Sequence, residues 1–131
     1  MSDLETLVRT SWALYAQEDF ASAAAMMTPD AIIDWPVSGE RIPSPANWRV
    51  IKEQYPGTWQ FAIIDILVDG NTAVSRLIVS SANLGHVETP ITYFTFTGER
   101  IARIVEYWPQ PEAHAAWRAQ WIVPISEGAI R

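Results

Sequence analysis

Residues 61–81, FAIIDILVDGNTAVSRLIVSS, decide the fold class of this chain. Two runs rich in β-branched and aromatic residues, Phe61–Val68 and Ala73–Ser81, flank the tripeptide Asp69-Gly70-Asn71. Glycine and asparagine tolerate the backbone conformations of tight turns, whereas the flanking residue types favour extended strands. The stretch therefore predicts a β-hairpin.

Both faces of the first of these two strands are apolar. Ile63 and Leu67 point to one side, and Ile64, Ile66 and Val68 point to the other. An antiparallel sheet with one face in water should instead alternate apolar and polar side chains. We therefore expect helices to cover one face and a second subunit to cover the other, which predicts a homodimer through the outer face of the sheet.

Further elements follow the hairpin. The apolar patterns of His86–Phe96 and Arg100–Trp108 predict two more strands. A closing helix is expected beyond them, with Trp117 and Trp121 four residues apart on one face. Pro124 would end that helix, because proline cannot continue the helical hydrogen bonding.

Helices precede the hairpin. Ser2 and Glu5 fit a capping box for an amphipathic helix over about residues 3–17. Asp19 is suited to cap a second, short helix. Pro29-Asp30 is expected to stop that helix.

A short strand and a third helix complete the first half. Ala31–Trp35 is an apolar run of strand length, and Ser44 before Pro45 is typical of a helix start. The order is helices first, then an antiparallel meander, then a closing helix. This order predicts the α+β class.

The composition describes a folded chain with few reactive groups. The 131 residues carry a net charge of −6, which is the wrong sign for binding nucleic acid. The absence of cysteine excludes thiolate metal sites and cysteine nucleophiles. His86 and His114 fit no metal-ligand spacing and no cofactor motif occurs, so we expect neither a metal nor a cofactor. No membrane-spanning run or signal pattern is seen, so we expect a cytoplasmic protein without membrane contact.

Three stretches carry a family resemblance: DAIIDWP at residues 30–36, SGERI at 38–42, and EYW at 106–108 followed by Trp117-Arg118. They resemble the nuclear transport factor 2-like superfamily, and most nearly its SnoaL-like branch, over about residues 4–122. The resemblance implies one SnoaL-like domain over residues 1–131. Its fold is a curved antiparallel sheet that N-terminal helices wrap into a cone around an apolar pocket. Members include ketosteroid isomerases, limonene epoxide hydrolases, polyketide cyclases and non-catalytic proteins, so the fold alone does not give the activity.

The catalytic residues of ketosteroid isomerases do not carry over to this chain. That family uses a tyrosine, an aspartate base and a second acid, and the corresponding positions fall on Ser11, Trp35 and Thr92. Tyr15, one helical turn after Ser11, is the alternative tyrosine. The resemblance therefore disfavours steroid isomerisation by that mechanism.

Glu106 is the main candidate for proton transfer. It shares strand parity with Ile104 and Trp108, on the side that the resemblance turns toward the pocket. A lone carboxylate between apolar walls is suited to give or take a proton near neutral pH. The alternative interpretations are a carboxylate at the rim of the pocket and a structural ion pair with Arg76 or Arg103.

Asp34 is the second catalytic candidate. As a base it would exchange a proton with a ligand at the mouth of the pocket. Alternation along the strand, however, turns Asp34 to the opposite face from Trp35. The alternative interpretations are an ion pair with Arg41 or Arg49 and a cap of the turn through Val37 and Ser38.

Arg76 is the third candidate, a charge within an otherwise apolar strand. Its guanidinium is suited to polarise a carbonyl group or to hold a carboxylate. It also takes the position of the arginine of limonene epoxide hydrolases, but Ile78 replaces the aspartate two residues on. The alternative interpretation is a structural pair with Glu106 or Asp65.

Five aromatic residues are predicted to line the pocket: Trp12, Tyr15, Trp35, Phe94 and Trp108. Aromatic walls suit a small, flat or cyclic apolar ligand, although core packing is the safer interpretation of any single ring. The first functional hypothesis is a cofactor-free isomerase, cyclase or hydratase that moves a proton on a small carbonyl compound. The second is a non-catalytic module for ligand binding or dimerisation.

Overall fold

The computed structural model describes residues 3–81 and 87–125. Its helices are α1 (Leu4–Ala16), α2 (Phe20–Ala25) and α3 (Pro45–Gln54), and a 3-10 segment covers Ala116–Trp121. Its strands are β1 (Met27–Trp35), β2 (Glu40–Ile42), β3 (Trp59–Asp69), β4 (Thr72–Ser81), β5 (Val87–Glu88), β6 (Ile91–Thr97) and β7 (Arg100–Tyr107).

All seven strands belong to one sheet. The order is β2-β1-β7-β6-β4-β3, and the short β5 pairs with β4. β1 and β7 run parallel, whereas the other neighbours run antiparallel. The predicted α+β class is confirmed, and the parallel pair makes the sheet mixed where we expected a purely antiparallel one.

Side-chain caps begin all three helices. Asp19 and Ser44 accept hydrogen bonds from the backbone N–H groups of Ser22 and Asn47, as predicted for these caps. The expected capping box of α1 is wrong, because Asp3 is the N-cap and accepts from the N–H of Thr6 at 2.7 Å. Ser2 lies outside the described residues.

Pro29 lies inside a strand, contrary to the prediction that it stops α2. The helix ends earlier, with its C-cap at Met26, and β1 starts at Met27. Proline is tolerated there because the register between β1 and β7 shifts between Met27 and Ile32, so the ladder is interrupted beside Pro29.

Pro90 divides the predicted strand at residues 86–96. β5 ends at Glu88 and β6 begins at Ile91. Because proline has no N–H to donate to the ladder, it breaks the pairing, although its carbonyl still accepts a hydrogen bond from the N–H of Leu77. His86, the predicted start of this strand, lies outside the described residues.

A β-bulge explains why both faces of β3 are apolar. The register with β4 shifts between Ile63 and Asp65, which leaves one extra residue in β3 and reverses the alternation. Phe61, Ile63 and then Ile66 pack on the core side. Asp65 and Leu67 consequently share the opposite side, hereafter the outer face.

The predicted closing helix is wrong. Residues 116–121 form a 3-10 segment whose N-cap position, Ala115, supplies no side-chain hydrogen bond. Trp117 and Trp121 are 73% and 71% exposed, so neither packs in the core. Without a cap or a buried stripe, this short segment lacks the interactions that stabilise an α-helix.

The core lies between the helices and the inner face of the sheet. Val8, Trp12 and Tyr15 of α1 and Trp48 of α3 are buried there. The sheet supplies the opposing side chains, which are Ile33, Leu77, Val79, Phe94, Phe96, Ile101 and Ile104. The longest described helix has 13 residues, and none of the described helices could span a bilayer.

Candidate functional site

A cavity of about 220 Å³ opens between the helices and one end of the inner face. Rings of Trp12, Tyr15, Trp35, Trp59 and Trp108 form much of its wall. Val37, Ser38 and Glu40 also line it, and because these residues are exposed they mark its mouth. The cavity suits a small ligand that is apolar over most of its surface.

Glu106 brings a carboxylate into this apolar wall. Its side chain lines the cavity and is only 5% exposed. Thr92, its direct partner on β6, donates a hydrogen bond from Oγ1 to Oε2 at 2.8 Å. Trp108 donates from Nε1 to Oε1 at 2.7 Å. Both carboxylate oxygens are therefore held in place, and each keeps a lone pair for a further donor.

No arginine neutralises Glu106 in the described part of the chain. Arg76 and Arg103, the two partners considered from the sequence, pair with Asp65 and Asp34 instead. The strand parity of Glu106 with Ile104 follows the prediction, since Ile104 is buried on the inner face. Its carboxylate is thus held by neutral donors, which leaves it open to a ligand.

Tyr15 supplies a hydroxyl group on the opposite, helical side of the cavity. Burial and the nearby negative charge of Glu106 raise the pKa of Tyr15 above its usual range. The hydroxyl therefore stays protonated and remains a hydrogen-bond donor. Its ring lies 4.8 Å from Trp12 and 5.1 Å from Trp48, between centroids, which fixes its orientation.

Lys52 is a cavity residue that the sequence analysis missed. It lies on α3 one helical turn after the buried Trp48, on the face that packs against the sheet side of the molecule. Its Nζ stands 5.9 Å from the ring centroid of Tyr15, 5.5 Å from that of Trp35 and 5.6 Å from that of Tyr55. The spacing from Trp48 was the signal that could have placed it on this face.

Two buried polar atoms have no hydrogen-bond partner within the described ranges. They are Trp35 Nε1 and Ser11 Oγ. Trp35 lines the cavity, so its N–H is a donor left over at the wall. Such unpaired donors are uncommon in protein interiors and mark places where a ligand or water is accommodated.

Asp34 lies outside the cavity, contrary to its role as a candidate base. Its carboxylate accepts two hydrogen bonds from Arg41, at 2.7 and 2.9 Å, and one from Arg103 at 2.8 Å. These hydrogen bonds, Arg41 first, lower the pKa of Asp34 to about 2. As predicted from strand alternation, Trp35 faces the cavity and Asp34 faces away.

Arg76 also lies on the outer face. It makes a two-point contact with Asp65, from Nε at 2.8 Å and from Nη2 at 2.6 Å. This contact follows from strand register, since the two residues are direct partners on β3 and β4. The structural alternative for Arg76 therefore holds, and the structure does not bring Arg76 to Glu106.

Phe94 is not a cavity residue in this structure. It is fully buried and packs its ring against Trp12, 6.0 Å between centroids, and against Phe96. Phe94 shares the inner face of β6 with Thr92, but it lies two residues farther from the cavity end of that strand. The other four predicted pocket residues do line the cavity.

Metal-ligating side chains do not cluster in the described residues, where no group of three could hold an ion. His114 is exposed before the 3-10 segment, and His86 is outside the described ranges. The polar residues that line the cavity are Glu18, Ser38, Glu40, Lys52, Glu106 and Gln110, together with the hydroxyl and indole groups of its aromatic residues.

A model of the SnoaL-like domain matches residues 8–104 of the chain. No curated protein matches the sequence. Among solved structures, a "putative ketosteroid isomerase" from Kribbella flavida DSM 17836 superposes with a TM-score of 0.85 at 19% identity, covering 96% of this chain and 92% of that one.

Two other similar structures carry different descriptions. An NTF-2 like protein of unknown function from Burkholderia xenovorans LB400 has a TM-score of 0.76 at 25% identity, covering 93% of this chain and 94% of that one. An LEH-like epoxide hydrolase from M. tuberculosis has a TM-score of 0.67 at 17% identity, covering 79% and 80%. At these identities the likeness establishes the fold and leaves the activity to the residues of the site.

Proposed function

This chain belongs to the SnoaL-like domain family and has the NTF2-like fold, and from that premise we propose that it is a cofactor-free enzyme. In this proposal Glu106 moves a proton on a small, largely apolar carbonyl compound, as an isomerase, cyclase or hydratase does. The observation that carries the proposal is the buried Glu106 carboxylate in the cavity wall, held by Thr92 and Trp108.

Glu106 and Tyr15 have different roles in the proposed proton transfer. A carbonyl compound in the cavity loses a proton from the carbon next to the carbonyl to a free lone pair of Glu106. The electron pair of that C–H bond moves toward the carbonyl oxygen, where the Tyr15 hydroxyl is suited to stabilise the developing oxyanion. Return of the proton to another carbon completes an isomerisation, and attack of the enolate on a second carbonyl completes a cyclisation.

Hydrogen–deuterium exchange tests this proposal without knowledge of the natural substrate. 2-Tetralone is a flat bicyclic ketone with exchangeable protons beside the carbonyl, and proton NMR in D₂O follows their loss. We expect the protein to accelerate this exchange above buffer and Glu106→Gln to lower the acceleration at least about 100-fold, the usual contribution of a general base.

The matched control replaces another sheet carboxylate by its amide. Asp65→Asn removes an exposed ion pair on the outer face, so it should exchange 2-tetralone at the wild-type rate. Circular dichroism checks that Glu106→Gln and Asp65→Asn are folded. Equal exchange rates for wild type and a folded Glu106→Gln would rule out Glu106 as the base.

A second candidate is a binding module without chemistry. It is favoured by the fact that both oxygens of Glu106 already accept hydrogen bonds from the protein. This candidate predicts that 2-tetralone quenches the fluorescence of the cavity tryptophans equally in wild type and Glu106→Gln, and that no exchange exceeds the buffer rate.

A further inference from the structure

Lys52 is the only lysine in the chain, and it lies in the cavity. Lysines are usually exposed and surrounded by water. The other basic residues that the structure describes are arginines and His114, and none of them lines the cavity. The one primary amine among the side chains is therefore placed where a ligand would bind.

Three rings surround the amine instead of a carboxylate. Tyr15, Trp35 and Tyr55 lie with their centroids within 5.9 Å of Nζ. Within residues 3–81 and 87–125 no acidic side chain forms an ion pair with Lys52, although five other basic side chains there do have such partners. An amine in such surroundings loses hydration, and burial lowers the pKa of Lys52.

Glu106 is the buried acid that lines the cavity with this amine, whereas Glu18 and Glu40, which also line it, are exposed. The negative charge of Glu106 acts on Lys52 in the direction opposite to burial. The amine of Lys52 is a nucleophile when it is neutral. It thus shares an apolar cavity with Glu106, whose carboxylate is able to hold the proton that the amine loses.

We propose that Lys52 Nζ is a nucleophile that condenses reversibly with an aldehyde or ketone in the cavity to form an iminium ion. The inference rests on the proposed carbonyl substrate class and adds a covalent mode of binding to it. The three surrounding rings suit the product as well, because the electron-rich ring faces attract a cation.

The step balances without any added reagent. The ammonium of Lys52 first gives a proton to Glu106, and the bound ligand or a water molecule relays it. The nitrogen lone pair then forms a bond to the carbonyl carbon, and one nitrogen proton moves to the oxygen, which gives a carbinolamine. Glu106 returns its proton to the departing hydroxyl group, water leaves, and an iminium ion remains beside the Glu106 carboxylate.

Reductive trapping tests the proposal. The protein is incubated at neutral pH with 2-naphthaldehyde and sodium cyanoborohydride, which reduces an iminium ion to a stable secondary amine, and peptide mass spectrometry locates the adduct. Arg49→Lys provides an internal comparison, because residue 49 is on the same helix but its side chain is 49% exposed and paired with Glu53. We expect Lys52 to be labelled at least about tenfold faster than the lysine at position 49.

Two controls keep the outcome interpretable. In denaturant the two lysines should react at equal rates, because the selectivity depends on the cavity. Lys52→Arg keeps a cation against the rings but cannot condense, so its only adduct should be at the N-terminal amine. Equal labelling of the two lysines in the folded protein, with both 2-naphthaldehyde and the smaller benzaldehyde, overturns the proposal.

The trapping experiment is independent of proton abstraction by Glu106. 2-Naphthaldehyde has no hydrogen on the carbon next to its carbonyl, so it cannot form an enolate. Selective trapping without exchange of 2-tetralone supports the role of Lys52 and refutes the proposed proton transfer. Exchange of 2-tetralone without selective trapping leaves the proposed function standing and refutes the role of Lys52.

Discussion

Three carboxylates of the sheet differ in the groups that hold them. Glu106 on the inner face accepts hydrogen bonds from a threonine and a tryptophan. Asp34 and Asp65 face away from the cavity. Each accepts hydrogen bonds from one arginine at both carboxylate oxygens. A guanidinium occupies the lone pairs that a ligand would need, whereas the two neutral donors leave part of Glu106 available. The choice of Glu106 for chemistry therefore follows from its partners.

The arginine contacts of Asp34 predict an acid-dependent loss of stability. The folded-state pKa of Asp34, about 2, lies below the ordinary value of 3.8, so the unfolded chain binds the proton more tightly. Its contribution is present above about pH 4 and is lost as the pH falls toward 2. We expect Asp34→Asn to lower the free energy of unfolding at pH 7 by about 1 kcal/mol, since both arginines are half exposed and water screens the pairs.

Urea unfolding of wild type and Asp34→Asn at several pH values checks this prediction. The difference between their unfolding free energies should shrink steadily between pH 5 and pH 2. Glu53→Gln is the control, because Glu53 pairs with a single arginine along α3 and both side chains are about half exposed. A difference that stays constant over this range would contradict the assigned role of the Asp34 contacts.

At the scale of elements, the predictions made from local sequence patterns are confirmed where one residue determines the backbone geometry. Gly70 has a φ of 60°, as the hairpin turn requires, and Asp19 and Ser44 cap the helices predicted for them. The strands around the hairpin were likewise found within two residues of their predicted bounds. These features depend on a few neighbouring residues.

The errors arise where distant strands determine the outcome. The bulge in β3 reverses the alternation of inner and outer side chains after Ile63. No glycine or other local residue pattern in β3 predicts the position of this bulge. Pairing of Arg76 with Asp65 follows from that shifted register, so the sequence left two partners open. Trp117 and Trp121 have helical spacing, but nothing in the described residues buries them, and the spacing alone did not produce an α-helix.

The helix that carries Lys52 supplies an element-scale prediction. Ser44 Oγ accepts a hydrogen bond from the N–H of Asn47 at 3.1 Å and satisfies one unpaired donor at the start of α3. Ser44→Ala should lower the free energy of unfolding by about 1 kcal/mol. Ser44→Asp should keep the wild-type stability, because its carboxylate caps the same N–H group and suits the positive end of the helix.

Urea denaturation of wild type, Ser44→Ala and Ser44→Asp measures the effect of the cap on stability. The labelling selectivity of Lys52 measures its effect on the cavity. Because Trp48 and Lys52 are carried by α3, fraying of its first turn should weaken the labelling selectivity of Lys52 in Ser44→Ala but not in Ser44→Asp. Equal stability of the alanine and aspartate variants would show that the cap contributes nothing.

At the scale of the whole molecule, the outer face of the sheet carries a continuous apolar row. Strand register aligns Leu67 with Val74, Val74 with Tyr93, and Tyr93 with Val105, across β3, β4, β6 and β7. Leu67 is 68% exposed and Tyr93 is 43% exposed. The neighbouring Tyr107 places its ring edge-on to Tyr93 at 6.2 Å between centroids. A contiguous row of exposed apolar side chains is typical of an interaction site.

The homodimer stays a prediction, now on the ground of this row: we expect a second copy of the chain to cover it. A two-fold axis through the sheet would place the row against itself, with the Asp65–Arg76 and Asp34–Arg103 pairs near its edges. Light scattering after size exclusion should give twice the mass of one chain. Tyr93→Glu should give the mass of one chain, since it places two charges in the apolar centre of the interface.

Val50→Glu is the matched control for this prediction. Val50 is 51% exposed on α3, on the other side of the molecule from the outer face, so this variant should stay dimeric. Because the cavity lies on the inner face, the monomeric Tyr93→Glu variant should still exchange 2-tetralone if it remains folded. A wild-type protein that has the mass of one chain at micromolar concentration would contradict the dimer, and the apolar row would then need a different partner.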